Sequence, residues 1–135
     1  MTEDGYEELL EKAKKMTEFA YAPYSKFMVG ASILYESGKV YGGCNVENSS
    51  YGLSLCAERN AISNAIAHGE TTNPIAIAIV SPNKKMCQPC GACRQWLCEF
   101  QKRDKDIDVV LEDKEGKPKV FKSSELLPMG FDLLD

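Results

Sequence analysis

The chain has 135 residues, the size of one ordinary domain, so a single domain over residues 1–135 is expected, with 44% hydrophobic residues to build its core. Sixteen basic against twenty acidic side chains leave a net charge of -4, which offers no global positive field to nucleic acid. No run approaches the ~18 to 20 apolar residues of a membrane span. The opening Met1-Thr2-Glu3-Asp4 is acidic, with no apolar signal segment behind it, so a cytoplasmic protein is expected. Its six cysteines then serve as thiols for metal or packing rather than as disulfides.

In chain order, Tyr6, Leu9, Leu10, Ala13, Thr17 and Ala20 recur at spacings of three and four, which predicts an amphipathic helix over residues 4–20. Pro23 ends it, because proline disfavours helical geometry at the residue before it. Residues 26–35 and 39–46 read as paired strands joined by a turn at Glu36-Ser37-Gly38. The polar stretch 47–55 reads as a loop suited to carrying binding groups. A second helix is expected from Cys56 to Ala67, with Ala57, Ala61, Ile62, Ala65 and Ile66 as its apolar face and Gly69 as its stop.

Pro74 to Val80 is continuously apolar, as in a strand buried on both faces. A third helix should start at Cys90 and run to about Phe100, with Trp96 in the core. Residues 107–111 form another strand, and Val120-Phe121 a short one. Ser123 or Ser124 then caps a helical turn ended by Pro128. Strands alternating with helices imply an α/β layered fold, made mixed by the first hairpin. The Lys-rich pieces, Lys12/Lys14/Lys15 and residues 102–105, are interleaved with acids and read as solvated faces.

The chemistry concentrates in Cys56-Ala57-Glu58-Arg59 and Pro89-Cys90-Gly91-Ala92-Cys93-Arg94. Three thiols suit zinc, and a catalytic zinc site keeps one position for water or substrate. The run from Cys87 to Cys93 holds two overlapping C-x-x-C pairs, and spacing alone does not choose between them. Proline at 89 fixes an extended approach, so Cys90 can begin a helix and share its first turn with Cys93. Those two are assigned as ligands, and Cys56 as the third. Glu58 reaches the same site only if Cys56 sits at a helix cap, which puts the metal between two helix N-termini. Their partial positive charge counters the excess negative charge of three thiolates around a dipositive ion. Arg59 can donate to a ligand sulfur, or equally form a surface ion pair. The alternative is a closed structural site with Cys44, Cys87, Cys98 or His68 as fourth ligand, which leaves Glu58 without a task. His68, beside Gly69, reads as a surface residue, and Cys44 and Cys98 as buried small apolar groups.

A three-ligand cysteine or His/Cys/Cys zinc site, a non-ligand Glu and a P-C-x-x-C element form the general pattern of zinc deaminases. Together with Gly43-Cys44-Asn45-Val46-Glu47-Asn48-Ser49-Ser50-Tyr51-Gly52 and Arg94-Gln95, the two motifs closely resemble the small cytidine deaminases, from about Tyr21 to Phe131. The resemblance implies a three-layer α/β/α fold with a mixed central sheet of about five strands, usually a homotetramer. It implies hydrolysis of cytidine and deoxycytidine to the uridine forms with release of ammonia, the chemistry of pyrimidine salvage. Cys56, Cys90 and Cys93 would bind one Zn2+ per chain, and Glu58 would shuttle protons to N3 and to the departing amine. Asn45 and Glu47 resemble the pair that holds the ribose hydroxyls, and Phe27 the aromatic near the pyrimidine. The backbone around Ala57 resembles the part that reads the base, while Tyr51 and Phe131 resemble residues that neighbouring subunits lend to each other.

Blander roles stand beside these. Asn45 and Glu47 could be turn residues, and Phe27 could be core. Competing functions are a blasticidin S type deaminase, which shares the C-A-E and P-C-x-x-C-R-Q pieces, and a structural zinc module used for binding. A nucleic-acid editing deaminase is disfavoured by the net charge and by the lack of a basic, aromatic groove.

Overall fold

In the computed structural model, which describes residues 1–101 and 105–133, the first element is helix α1, Glu3–Met16. Thr2 caps it, its hydroxyl accepting from Gly5 N at 3.1 Å. Glu3 and Asp4 in the first turn and Lys14 and Lys15 in the last complement the helix dipole. A 3-10 turn, Thr17–Phe19, ends it short of the expected residue 20. Strands β1 (Gly30–Tyr35) and β2 (Val40–Cys44) form the hairpin, with Gly38 supplying the left-handed φ of 87° at the turn. Helix α2 is Ala57–Ala67, β3 is Pro74–Val80, and α3 is Gly91–Phe100. Strands β4 (Asp108–Glu112) and β5 (Pro118–Lys122) and the short α4 (Ser123–Leu126) complete the chain.

The sheet order is β2-β1-β3-β4-β5. Only β3 and β4 run parallel; the other three neighbouring pairs are antiparallel. β3 is the central strand, and its alternation builds both halves of the core. Ile77 and Ile79 meet Ala57, Ala61, Ile62 and Ala65 of α2 and Leu97 of α3. Ala76, Ala78 and Val80 meet Leu9, Leu10 and Ala13 of α1 on the opposite face. The result is three layers, α1 on one side of a mixed five-stranded sheet and α2 and α3 on the other. Each fully buried isoleucine on β3 contributes about 1.5–3 kcal/mol.

Two glycines set how closely the helices approach. A Cβ at Gly30 would lie 2.1 Å from the carbonyl oxygen of Ala13, so α1 rests on the bare backbone of β1. A Cβ at Gly43 would lie 2.3 Å from Ala61 N and 2.6 Å from Ala57 O, so α2 rests on β2 in the same way. That second contact fixes the N-terminus of α2, and with it Cys56 and Glu58, against the sheet.

Further local expectations differ from the structure. Residues 26–29 lie outside β1: Lys26 takes a left-handed φ of 60°, and the strand begins only at Gly30. Trp96 is 36% exposed, because the face of α3 that meets the sheet carries Cys93 and Leu97, four apart. Ile66 is likewise exposed, just past the edge of the buried arc of α2 that runs through Ala61, Ala65 and Ile62. Neither Ser123 nor Ser124 caps α4; Asp106 does so from outside, accepting from Ser124 N at 2.8 Å and from the Ser124 hydroxyl at 2.7 Å. Of the basic piece at 102–105, residues 102–104 lie outside the described residues, and Lys105 pairs with Glu36 at 3.1 Å. Among the described residues no helix is long and apolar enough to cross a membrane.

Candidate active site

Two helix starts face each other at the end of the sheet marked by the C-terminus of β3. Cys56 is the N-cap of α2, with φ -77° and ψ 155°, and Cys90 is the N-cap of α3, with φ -69° and ψ 170°. Both caps are extended, which lets each side chain turn away from its own helix. Cys93 follows one turn into α3 and is buried. The three sulfurs all lie within 4.8 Å of one another, and those of Cys56 and Cys90 are 3.8 Å apart. A tetrahedral zinc ion about 2.3 Å from each sulfur requires sulfur separations near ~3.8 Å. The donor set therefore fits zinc, with three protein ligands and one position open. Cys87, Cys44, Cys98 and His68 are not members of the cluster. Cys44 and Cys98 are partly rather than fully buried, and His68 is exposed, its Nδ1 2.8 Å from Asn64 O.

The thiols are electrostatically coupled. A hydrogen bond from Cys93, aided by Arg59 and Cys90 and opposed by burial, holds the Cys56 thiol down to about 5. Cys93, on the other side of that bond and buried, is pushed up. Arg59 places Nη2 3.4 Å from Cys56 Sγ and 3.4 Å from Ser54 O, so it is directed at a ligand sulfur. Arg94, part of the second motif but given no role from sequence, clamps it: Nε donates to Pro89 O at 2.8 Å and Nη1 to Leu126 O at 2.9 Å. It thereby holds the residue before Cys90 in place.

Glu58, in the first turn of α2, is only 4% exposed. Burial is the main influence raising its pKa above the ordinary carboxyl value, and the neighbouring Cys56 thiolate adds to it. A carboxyl raised in this way can hold and release a proton nearer neutral pH than an exposed one. Burial also drives the Cys87 thiol up to about 11, so at neutral pH it is an un-ionised wall group.

Glu58, Ala57, Cys56 and Cys90 line one end of a cavity of about 480 Å³, within the range of small-molecule sites. Phe27, Val29, Asn45, Glu47 and Tyr51 are among the other residues that line it. Asn45 Oδ1 accepts from Val29 N at 2.9 Å while its Nδ2 donates to Phe27 O at 2.8 Å. The Glu47 carboxylate accepts from Tyr24 N at 3.0 Å, Ser25 N at 3.1 Å and the Ser25 hydroxyl. Chiefly through that hydroxyl, and despite some desolvation, these bonds hold Glu47 below the usual carboxylate range. Tyr51, 74% exposed, packs edge-on to Tyr24 at the rim of the pocket of its own chain. Phe131 does not line this pocket. It is 69% exposed, and its backbone is held by Gln95 of α3. Ser25, Gln88 and Ser54 line the cavity without having been singled out. The Pro23 turn and the polar loop 47–55 were the only signals for two of them.

A sequence profile for the cytidine and deoxycytidylate deaminase zinc-binding region matches residues 3–109, a span that holds all three clustered cysteines and Glu58. The chain belongs to this family. Cytidine deaminase from Sporosarcina psychrophila is 42% identical over 125 residues, covering 93% of this chain and 90% of that protein. Cytidine deaminase from Halalkalibacterium halodurans is 43% identical over 123 residues, covering 91% of each. The crystal structure of cytidine deaminase from Burkholderia pseudomallei matches with a TM-score of 0.85 at 45% identity, covering 97% of this chain and 100% of that one. The mixed five-stranded sheet with flanking helices is thus the fold of solved cytidine deaminases, and a thiol cluster able to hold a metal ion lies within the span that matches the zinc-binding deaminase region.

Proposed function

We propose that the protein is a hydrolase that deaminates cytidine and deoxycytidine, giving uridine and deoxyuridine with release of ammonia, as in pyrimidine salvage. The observation that carries this reading is the convergence in one cavity of a three-thiol cluster with one open position and a buried carboxyl that is not a ligand. Zinc held by Cys56, Cys90 and Cys93 would supply a Lewis acid that makes hydroxide available from water near neutral pH. Glu58 is the proton carrier: it takes one proton from the attacking water to N3 of the ring, then carries the remaining proton of that oxygen to the amine as the C4–N bond breaks. The water oxygen stays on C4, and the nitrogen departs as ammonia. A carboxyl suits the task because it serves as base and acid within one cycle.

Asn45 and Glu47 hold the ribose hydroxyls, Phe27 packs near the pyrimidine, and the backbone at Ala57 reads the base. Arg59 keeps its charge beside Cys56 and offsets the negative charge of the thiolate set. The protein is a single cytoplasmic domain that assembles as a homotetramer. Leu53, Met129, Phe131 and Leu133 are exposed apolar side chains that assembly would cover. Phe131 and Tyr51 would then serve pockets at subunit boundaries. The test is to incubate the protein with cytidine and follow the ultraviolet change to uridine with and without a strong chelator. Turnover abolished by the chelator and restored by zinc is expected; no turnover by zinc-loaded protein overturns the reading.

A further inference from the structure

The pocket wall formed by Phe27 and Val29 belongs to no strand, yet the backbone of residues 27–29 is fully bonded. β1 pairs Gly30 with Cys44 on one side and with Val80 on the other. One residue further out the regular ladder ends on both sides, and side chains make most of the bonds to this segment. On the β2 side, Asn45 takes Phe27 O and Val29 N with its amide, and its backbone N takes Val29 O at 3.2 Å. On the β3 side, the Ser81 hydroxyl donates to Met28 O at 2.6 Å, and Asn83 Oδ1 accepts from Met28 N at 3.0 Å. Asn83 N in turn donates to the Ser81 hydroxyl at 3.1 Å, which ties the two together. Ser81 is 3% exposed. Neither Ser81 nor Asn83 lines the active pocket; both line a separate cavity behind it.

The Met28 backbone is thus held at both its N–H and its C=O by these two residues, while Phe27 and Val29 on either side of it line the pocket. We infer that Ser81 and Asn83 are positioning residues for substrate binding, which clamp Met28 from behind and so set the depth of the Phe27 wall against the nucleoside. The inference rests on the proposed cytidine reaction. It adds residues that touch neither substrate nor metal. A side-chain clamp suits this position: it holds the wall where the regular ladders of β1 end at Cys44 and Val80.

The experiment compares Ser81→Ala, Asn83→Leu and Asn83→Asp as zinc-loaded full-length proteins, each alone and in a Phe27→Ala background. Ser81→Ala and Asn83→Leu should raise the KM for cytidine about three- to tenfold, as expected for one lost hydrogen bond. Their kcat should stay within about twofold and their zinc content should be unchanged. Asn83→Asp keeps the acceptor and should bring KM back near that of the parent. The Met28 amide should exchange with deuterium faster in Asn83→Leu than in Asn83→Asp. In the Phe27→Ala background the clamp variants should shift KM no further. Unchanged KM in both clamp variants overturns the inference, as does an equal rise with Phe27 removed, or a fall in kcat together with zinc loss. Failure of the parent protein to deaminate cytidine overturns the underlying function instead.

Discussion

Gln95 and Phe131 hold each other through both ends of one amide: Gln95 Nε2 donates to Phe131 O at 2.8 Å, and Phe131 N donates to Gln95 Oε1 at 3.1 Å. The bonds capture the backbone of Phe131 and leave its ring exposed. Gly130, just before it, passes so close over α3 that a Cβ would lie 2.5 Å from Cys98 Sγ. The tail is therefore docked on the helix that carries Cys93, with an aromatic side chain directed outward. Removing residues 129–135 should raise the KM for cytidine while each chain stays folded and keeps zinc. Mixing this truncated chain with full-length Glu58→Gln should restore activity if Phe131 serves a neighbouring pocket. No recovery in mixtures shown to exchange subunits would sink that arrangement.

Glu58→Gln should retain about one zinc per chain and the native fold, and lose turnover by ~10²- to 10⁴-fold, the usual loss for a positioned proton carrier. Metal content and rate measured on one preparation decide it, since loss of zinc would make Glu58 a ligand.

The register of the C-x-x-C pair is tested by single substitutions. Cys90→Ala and Cys93→Ala should each lose zinc and activity. Cys87→Ala should keep both, because Cys87 is a wall residue outside the thiol cluster. Atomic absorption on the three purified variants is the measurement.

Gly43→Ala should destabilise the protein by about 1–3 kcal/mol, the usual cost of forcing an added methyl group into a packed contact. The atoms that the methyl would meet are backbone atoms of α2, which cannot swing aside. Urea unfolding of the zinc-loaded proteins gives the number. An unchanged midpoint would mean that α2 lifts at no cost.

Acid stability should depend on Glu112. Its carboxylate lies 2.7 Å from both Lys14 and Lys85. Burial, the largest single influence, works to raise its pKa, but the two ammonium groups together outweigh it and the net direction is down. A carboxyl depressed in the folded state adds stability that is present above its unfolded value, near ~4.3. That stability is lost as pH falls from there through the folded value. Glu112→Gln should therefore be less stable at neutral pH, and the difference from the parent should shrink below about pH 4. Denaturant midpoints across pH 2–7 would test this, and a constant difference would rule it out.

Much of the site was legible from residue order because its parts are local. A cysteine before a helix, a glutamate two places on, and a proline that starts the next helix at Cys90 are rules of neighbouring backbone geometry. They set which residues stand at two helix N-termini without reference to the rest of the chain. The core of β3 was legible for the same reason, since a continuous apolar run requires cover on both faces. Trp96 and Ile66 were misread because helical spacing locates a stripe but not its width, and the sheet covers only the arcs through Leu97 and through Ile62 and Ala65. Sulfurs 3.8 Å apart, from positions 56 and 90, exist only once α2 and α3 have both settled on β3. The same holds for the tail. Sequence carried no second anchor for it, whereas the fold supplies Gln95, a residue 36 positions away. Contacts at such separations follow from how the sheet and helices pack, and no local pattern encodes them.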